Sequence, residues 1–148
     1  MLTNRSVPAE TLLPHIVYED VAMAAAWLSK TFGFVEHYRY GDEGGQPSGL
    51  QMSRGEAWIM LMRARPGWAS PAQAGVATQS LTVFVDDVDA HYRRTRSAGA
   101  SIVEELNETA YGERQYGVED LAGHHWLFAS HARDVRPEDW GATPVRST

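Results

Sequence analysis

Cysteine is absent from the 148-residue chain, which excludes disulfides, thiolate metal ligands and a cysteine nucleophile. Lysine occurs once, at Lys30, and 13 basic residues face 19 acidic ones for a net charge of −6. No basic stripe is available to meet a phosphate backbone, so nucleic acid is not an expected partner. No apolar run approaches the roughly 18 residues that span a bilayer, and Met1-Leu2-Thr3-Asn4-Arg5 lacks the apolar stretch of a signal peptide. A cytoplasmic protein without a membrane segment is the expectation. Glycine-rich phosphate loops, GxSxG elbows and HExxH helices are also missing.

What is present is a duplicated pattern. A short strand over Leu12–Tyr18 runs into Asp20, a helix cap, and Val21, Ala24, Ala25 and Leu28 then recur at helical spacing up to Gly33. The order returns as a strand over Ser80–Val85, a cap at Asp87, and a helix ending at Gly99, where a left-handed residue costs glycine little. Each helix precedes three strand-like segments: Phe34–Tyr40, Leu50–Ser53 and Trp58–Met62, then Ser101–Leu106, Arg114–Val118 and Trp126–Ala129. Gly55-x-x-Trp58 superposes on Gly123-x-x-Trp126, and the offset of 67 to 68 residues indicates duplication rather than a solenoid. The expected fold is α+β, one domain over 1–148, with βαβββ modules at about 11–65 and 79–132. Gly41–Gly49 reads as a hairpin loop, Pro66–Thr78 as the connection between modules, and 133–148 as a tail without a period.

The string Tyr111-Gly112-Glu113-Arg114, continued by Asp120-Leu121-Ala122-Gly123-His124-His125-Trp126 and by Ala129-Ser130-His131-Ala132-Arg133-Asp134-Val135-Arg136-Pro137-Glu138, resembles a signature of the glyoxalase, bleomycin-resistance and dioxygenase (vicinal oxygen chelate) superfamily. It departs at Leu121, where proline is usual. The resemblance covers residues 11 to 139 and implies strands curving into a U-shaped mixed sheet around a cavity, commonly in a homodimer. Enzymes of that superfamily hold a divalent metal as a Lewis acid. Counting seven residues back from each capping aspartate reaches Leu13 and Ser80, and counting four beyond each turn glycine reaches Ile59 and Leu127. None is a His, Glu, Asp or Gln, so neither a metal nor another cofactor is expected. His15, two residues past the first position, could enter a rearranged site or line the pocket wall.

Strand alternation joined to the resemblance puts His15, Val17, Thr82 and Phe84 on the inner wall. Positions carried over from the fosfomycin-resistance branch add Gln51, Trp58, Met60, Tyr111, Gln115 and Gly117. Trp58 would turn beneath a helix if the register slipped by one, and Gln51 and Gln115 also suit exposed edges. Arg114, of opposite parity to Gln115, fits either an anionic ligand or a structural bond. His124 and His125 read as turn residues, His37, His91 and His131 have no evident partner, and Trp68 and Trp140 fit a pocket mouth or a covering contact. The leading expectation is metal-free binding of a small aromatic or cationic molecule, as in antibiotic or toxin sequestration, by a homodimer. The alternatives are a metal-dependent lyase, isomerase or dioxygenase using His15, and an interaction module with a degenerate pocket.

Overall fold

The computed structural model describes residues 2–41 and 44–145. Asp42 and Glu43 of the expected hairpin loop, Met1, and residues 146–148 of the tail lie outside the described residues. Two compact units emerge, one formed by the residues before Ser80 with Asp120–His124, the other by Ser80–Glu119 with the residues from His125 onward.

In the first unit, β1 (His15–Tyr18) is followed by α1 (Val21–Phe32), β2 (Val35–Tyr40), β3 (Gly49–Arg54), β4 (Ala57–Arg63) and a single turn of helix, α2 (Pro71–Ala74). The sheet order is β1-β4-β3-β2, with β1 parallel to β4 and the other pairs antiparallel. The second unit repeats the plan with β5 (Ser80–Phe84), α3 (Val88–Ser97), β6 (Ser101–Glu108), β7 (Glu113–Glu119) and β8 (His125–His131), ordered β5-β8-β7-β6. Each unit is therefore a βαβββ module carrying its own four-stranded mixed sheet, and neither sheet closes into a barrel.

Local chemistry sets both helices. The Asp20 and Asp87 side chains accept from the backbone N–H groups of Met23 and Ala90, satisfying donors that the first helical turn leaves unpaired. Gly33, at φ 86°, ends α1 in a conformation that would strain other residues. Val21, Ala24, Leu28 and Phe32 of α1 are buried, as are Ile16, Tyr18, Leu50, Met52, Ile59 and Leu61 of one sheet parity. The matching core of the second module is Val88, Tyr116, Val118, Trp126 and Phe128. His91, which had no evident partner, is buried there with its Nδ1 2.5 Å from the Tyr116 hydroxyl, and that hydroxyl donates to Thr95 Oγ1 at 2.8 Å.

Two departures from the sequence reading are small and physical, and one open alternative is resolved. Strand β1 begins at His15 rather than Leu12, after Pro14, which has no N–H to give a ladder. Helix α2 and a 3-10 turn at Pro137–Trp140 are single turns and leave no helical period to read. Arg114 takes the structural option, donating to Asp89 of α3 from Nε at 2.9 Å and from Nη2 at 2.7 Å.

Within the first unit, the buried Tyr18 hydroxyl donates to Asp120 Oδ2 at 2.6 Å, while Asp120 Oδ1 accepts from the N–H groups of Ala122 and His124. Burial, reinforced by the Asp120 carboxylate, holds the Tyr18 phenol well above its ordinary pKa. Tyr18→Phe leaves Asp120 Oδ2 without this donor and is expected to lower unfolding free energy by about 1–3 kcal/mol. Urea denaturation checks this, and a change within the error of the native curve would contradict it.

Hydrogen bonds from Arg114 hold the Asp89 carboxyl below its usual range. A carboxylate pKa lowered by folding stabilises the native state above the unfolded value, and the contribution is lost as pH falls through the folded one. Asp89→Asn is therefore expected to lower the thermal midpoint at neutral pH, the gap from native closing in acid. A gap that does not depend on pH would show that the charge of Asp89 is not its cause.

Candidate functional site

With α1 covering one face, the opposite parity of the first sheet is left for other contacts. Across it, His15, Met60, Gln51 and Tyr38 form one row of paired residues, and Val17, Met62, Gly49 and Tyr40 form the next. Trp58, paired with Ser53, shares this parity and meets the His37 ring at 5.4 Å, away from the helix-covered core. The four expected module-one residues His15, Gln51, Trp58 and Met60 thus share a face.

Their environments differ. His15 is exposed and lines a cavity of about 320 Å3 with Trp68 and His124, while His124 Nε2 is engaged by the Val17 carbonyl at 2.7 Å. Gln51 is 0% exposed. Its Oε1 accepts from His37 Nδ1 at 2.7 Å, and its Nε2 donates to the Ser6 carbonyl and to Met60 sulfur, both at 3.3 Å. Ser6 belongs to a turn in which Val7 N–H donates to the Asn4 carbonyl. A backbone segment therefore meets this face, which no side-chain pattern announces.

The second sheet has a more open counterpart. One row is Phe84, Ala129, Gln115 and Asn107, and the next is Thr82, Leu127, Gly117 and Glu104. Phe84 is 57% exposed. Beside it His131, with its ring centroid 4.9 Å from that of Phe84, donates from Nδ1 to both Glu113 oxygens at 2.7 and 3.0 Å. Tyr111 donates to Gln115 Oε1 at 3.2 Å and packs its ring 5.5 Å from Trp140. Gln115 Nε2 and Asn107 Nδ2 both donate to Glu104 Oε2. A cavity of about 530 Å3 opens among Tyr111, Glu113, His131, Arg133 and Val135. Gly112 positions its rim: φ is 94°, and a Cβ there would stand 2.4 Å from the Arg133 carbonyl oxygen.

Tyr111 and Gln115 are thus drawn together and Phe84 shares the row of Gln115 across β8, whereas Gly117 is buried, with Glu104, Val103 and Leu127 filling the space beside it. Glu104, Glu113 and Glu119 share the face, Glu119 paired with His125 at 3.0 Å, and no arginine or lysine occupies its strand positions. The face is therefore aromatic and acidic. The sequence reading does not single out Glu104, Glu113 or His131 as site residues, although the parity of Gln115 points to Glu113.

The positions where the resemblance implies metal ligands do not fit one. His15 pairs with Met60 and Thr82 with Leu127, so the module-one equivalent of Leu127 is Met60. Ile59 lies in the helix-covered core because the Gly55 turn is one residue shorter than the Asp120–His124 turn. Leu13, Ser80, Met60 and Leu127 offer at most a hydroxyl and a thioether, too few N and O donors for a divalent ion. Among the described residues no group of three or more His, Asp or Glu could hold one, and no helix is long and apolar enough to cross a membrane.

Comparison with known proteins agrees with this architecture. An uncharacterized protein of Mycobacterium bovis is 29% identical over 133 residues, covering 86% of this chain and 88% of the relative. Among solved structures, TioX from Micromonospora sp. ML1 is 32% identical with a TM-score of 0.71, covering 82% of this chain and 98% of that one. A bleomycin resistance determinant encoded on transposon Tn5 shares the fold at 17% identity and a TM-score of 0.67, covering 84% and 99% of the two chains. The fosfomycin resistance protein FosX from Listeria monocytogenes does so at 14% and 0.62, covering 88% and 97%. The family model for the Glyoxalase/Bleomycin resistance protein/Dioxygenase superfamily matches residues 11–128, and the chain belongs to that superfamily.

Proposed function

We propose that this protein binds a small aromatic, positively charged molecule on its helix-free sheet faces without a metal, sequestering it in the cytoplasm as a homodimer. The observation that carries the reading is Phe84, 57% exposed at the end of the edge strand β5, with the His131 ring beside it and the Glu113 carboxylate bonded to His131. An aromatic ring left in water on a strand forfeits burial that a flat ligand would supply. Carboxylates on the same face would neutralise a cation as water is expelled, and the ring faces attract the same charge. Superfamily membership supports small-molecule binding and pairing of two chains, and the Tn5 relative supports a resistance role of this kind.

Intrinsic tryptophan fluorescence titrated with the cationic acridine proflavine, and with anthracene carboxylate as an anionic counterpart of similar shape, tests the proposal. Saturable proflavine binding is expected to weaken about tenfold or more, or about 1.4 kcal/mol, in Phe84→Ala and in Glu113→Gln. Equal affinity for the anion, or proflavine binding indifferent to both substitutions, would overturn the assignment of charge and face.

A further inference from the structure

We propose that Tyr38 and Gln51 form a two-donor site for a carbonyl oxygen of an amide-bearing ligand, and that the chain's own segment of residues 2–10 competes for it. The inference rests on the reading that the helix-free faces bind small molecules, and it names the chemistry of the first one. The Tyr38 hydroxyl, at 2.7 Å, and Gln51 Nε2, at 3.3 Å, converge on a single oxygen, the Ser6 carbonyl. Gln51 is held for this task. His37 fixes its Oε1 at 2.7 Å and so decides which end of the amide points at the acceptor. With the segment in place Gln51 is 0% exposed, and the Ser6 carbonyl is the strong acceptor of its Nε2, since the Met60 sulfur accepts weakly.

The partners on that row select the ligand. His15, Met60, Gln51 and Tyr38 include no arginine or lysine, so the pair of neutral donors suits a polarised neutral oxygen better than an anion. The segment now presenting that oxygen is itself an amide chain. It is lightly held: residues 2–7 are all exposed, and its local order is the Asn4–Val7 turn, with Ser6 N–H donating to Asn4 Oδ1 at 3.0 Å. Segments with little buried apolar surface open at small cost. Cavities of about 520 Å3 against His37 and about 350 Å3 against Trp58 flank it, space that a ligand bulkier than the segment would fill.

The test uses the full chain and one probe, an acetylated, amidated peptide of residues 3–9, its binding followed by calorimetry. Val7→Pro removes the N–H that closes the turn at an exposed position, and Asn4→Ala is a second, milder way of loosening it. The peptide is expected to bind Val7→Pro at least tenfold more tightly than the native chain, and adding Gln51→Leu or Tyr38→Phe should cancel that gain. Trypsin should cut the native Arg5–Ser6 bond at least tenfold more slowly than the same bond in the free peptide. Peptide affinity equal in native and both loosened chains, affinity indifferent to Gln51 and Tyr38, or native cleavage as fast as the peptide's would each overturn the proposal. Proflavine separates the two failures. If it still binds while the peptide results fail, only this inference falls; if neither binds any variant, the small-molecule reading falls too.

Discussion

Each four-stranded sheet has one long helix to cover it, and that shortage of helix is the constraint on which the rest depends. A strand presents alternate side chains to opposite faces. Burying Ile16, Tyr18, Leu50 and Leu61 with α1 therefore turns His15, Val17, Gln51 and Met60 the other way, where nothing within a βαβββ repeat exists to meet them. The same holds for Phe84 and Gln115 once Tyr116, Val118, Trp126 and Phe128 pack on the α3 side. A face released in this manner must be wetted, covered by the chain itself or given to a ligand. The two modules divide these outcomes: a backbone segment reaches Gln51 in the first, while Phe84 stays exposed in the second.

Polar chemistry on the helix side serves the fold. Tyr18 with Asp120 and His91 with Tyr116 and Thr95 satisfy groups that burial removes from water, and the partly exposed Arg114–Asp89 pair ties β7 to α3. Among the described residues every buried side-chain N or O has a hydrogen-bond partner, as interiors of low polarity require. The ligand-facing chemistry is of another kind. Glu104, Glu113 and Glu119 concentrate one sign of charge beside partly exposed rings, an arrangement with small value for stability because the pairs are open to water, yet suited to attracting a cation.

The capping aspartates, the terminating glycines and the alternating strands made the α+β duplication readable in the sequence, since each depends on local geometry. Alternation pointed to His15 and the resemblance to Gln51, Trp58 and Met60, and the strand register puts all four on one parity. Counting from glycines was less reliable. Gly55 and Gly123 sit in turns of different length, so Ile59 was assigned a position that belongs to Met60. The approach of Ser6 to Gln51 was illegible because it uses a carbonyl oxygen, which every residue carries. The Glu113–His131 pair was illegible for a different reason: it joins strands whose register depends on the Asp120–His124 turn.

The proposed ligand contact is confined to the helix-free parity of the strands. Backbone amide and methyl NMR shifts recorded while proflavine is titrated into the full chain test it most directly. Perturbations concentrated at Thr82, Phe84, Gln115, Leu127 and Ala129, with Val83, Tyr116, Val118 and Phe128 little changed, are the predicted result. Shifts that instead follow the α3-side residues, or that spread evenly over both parities, would contradict it.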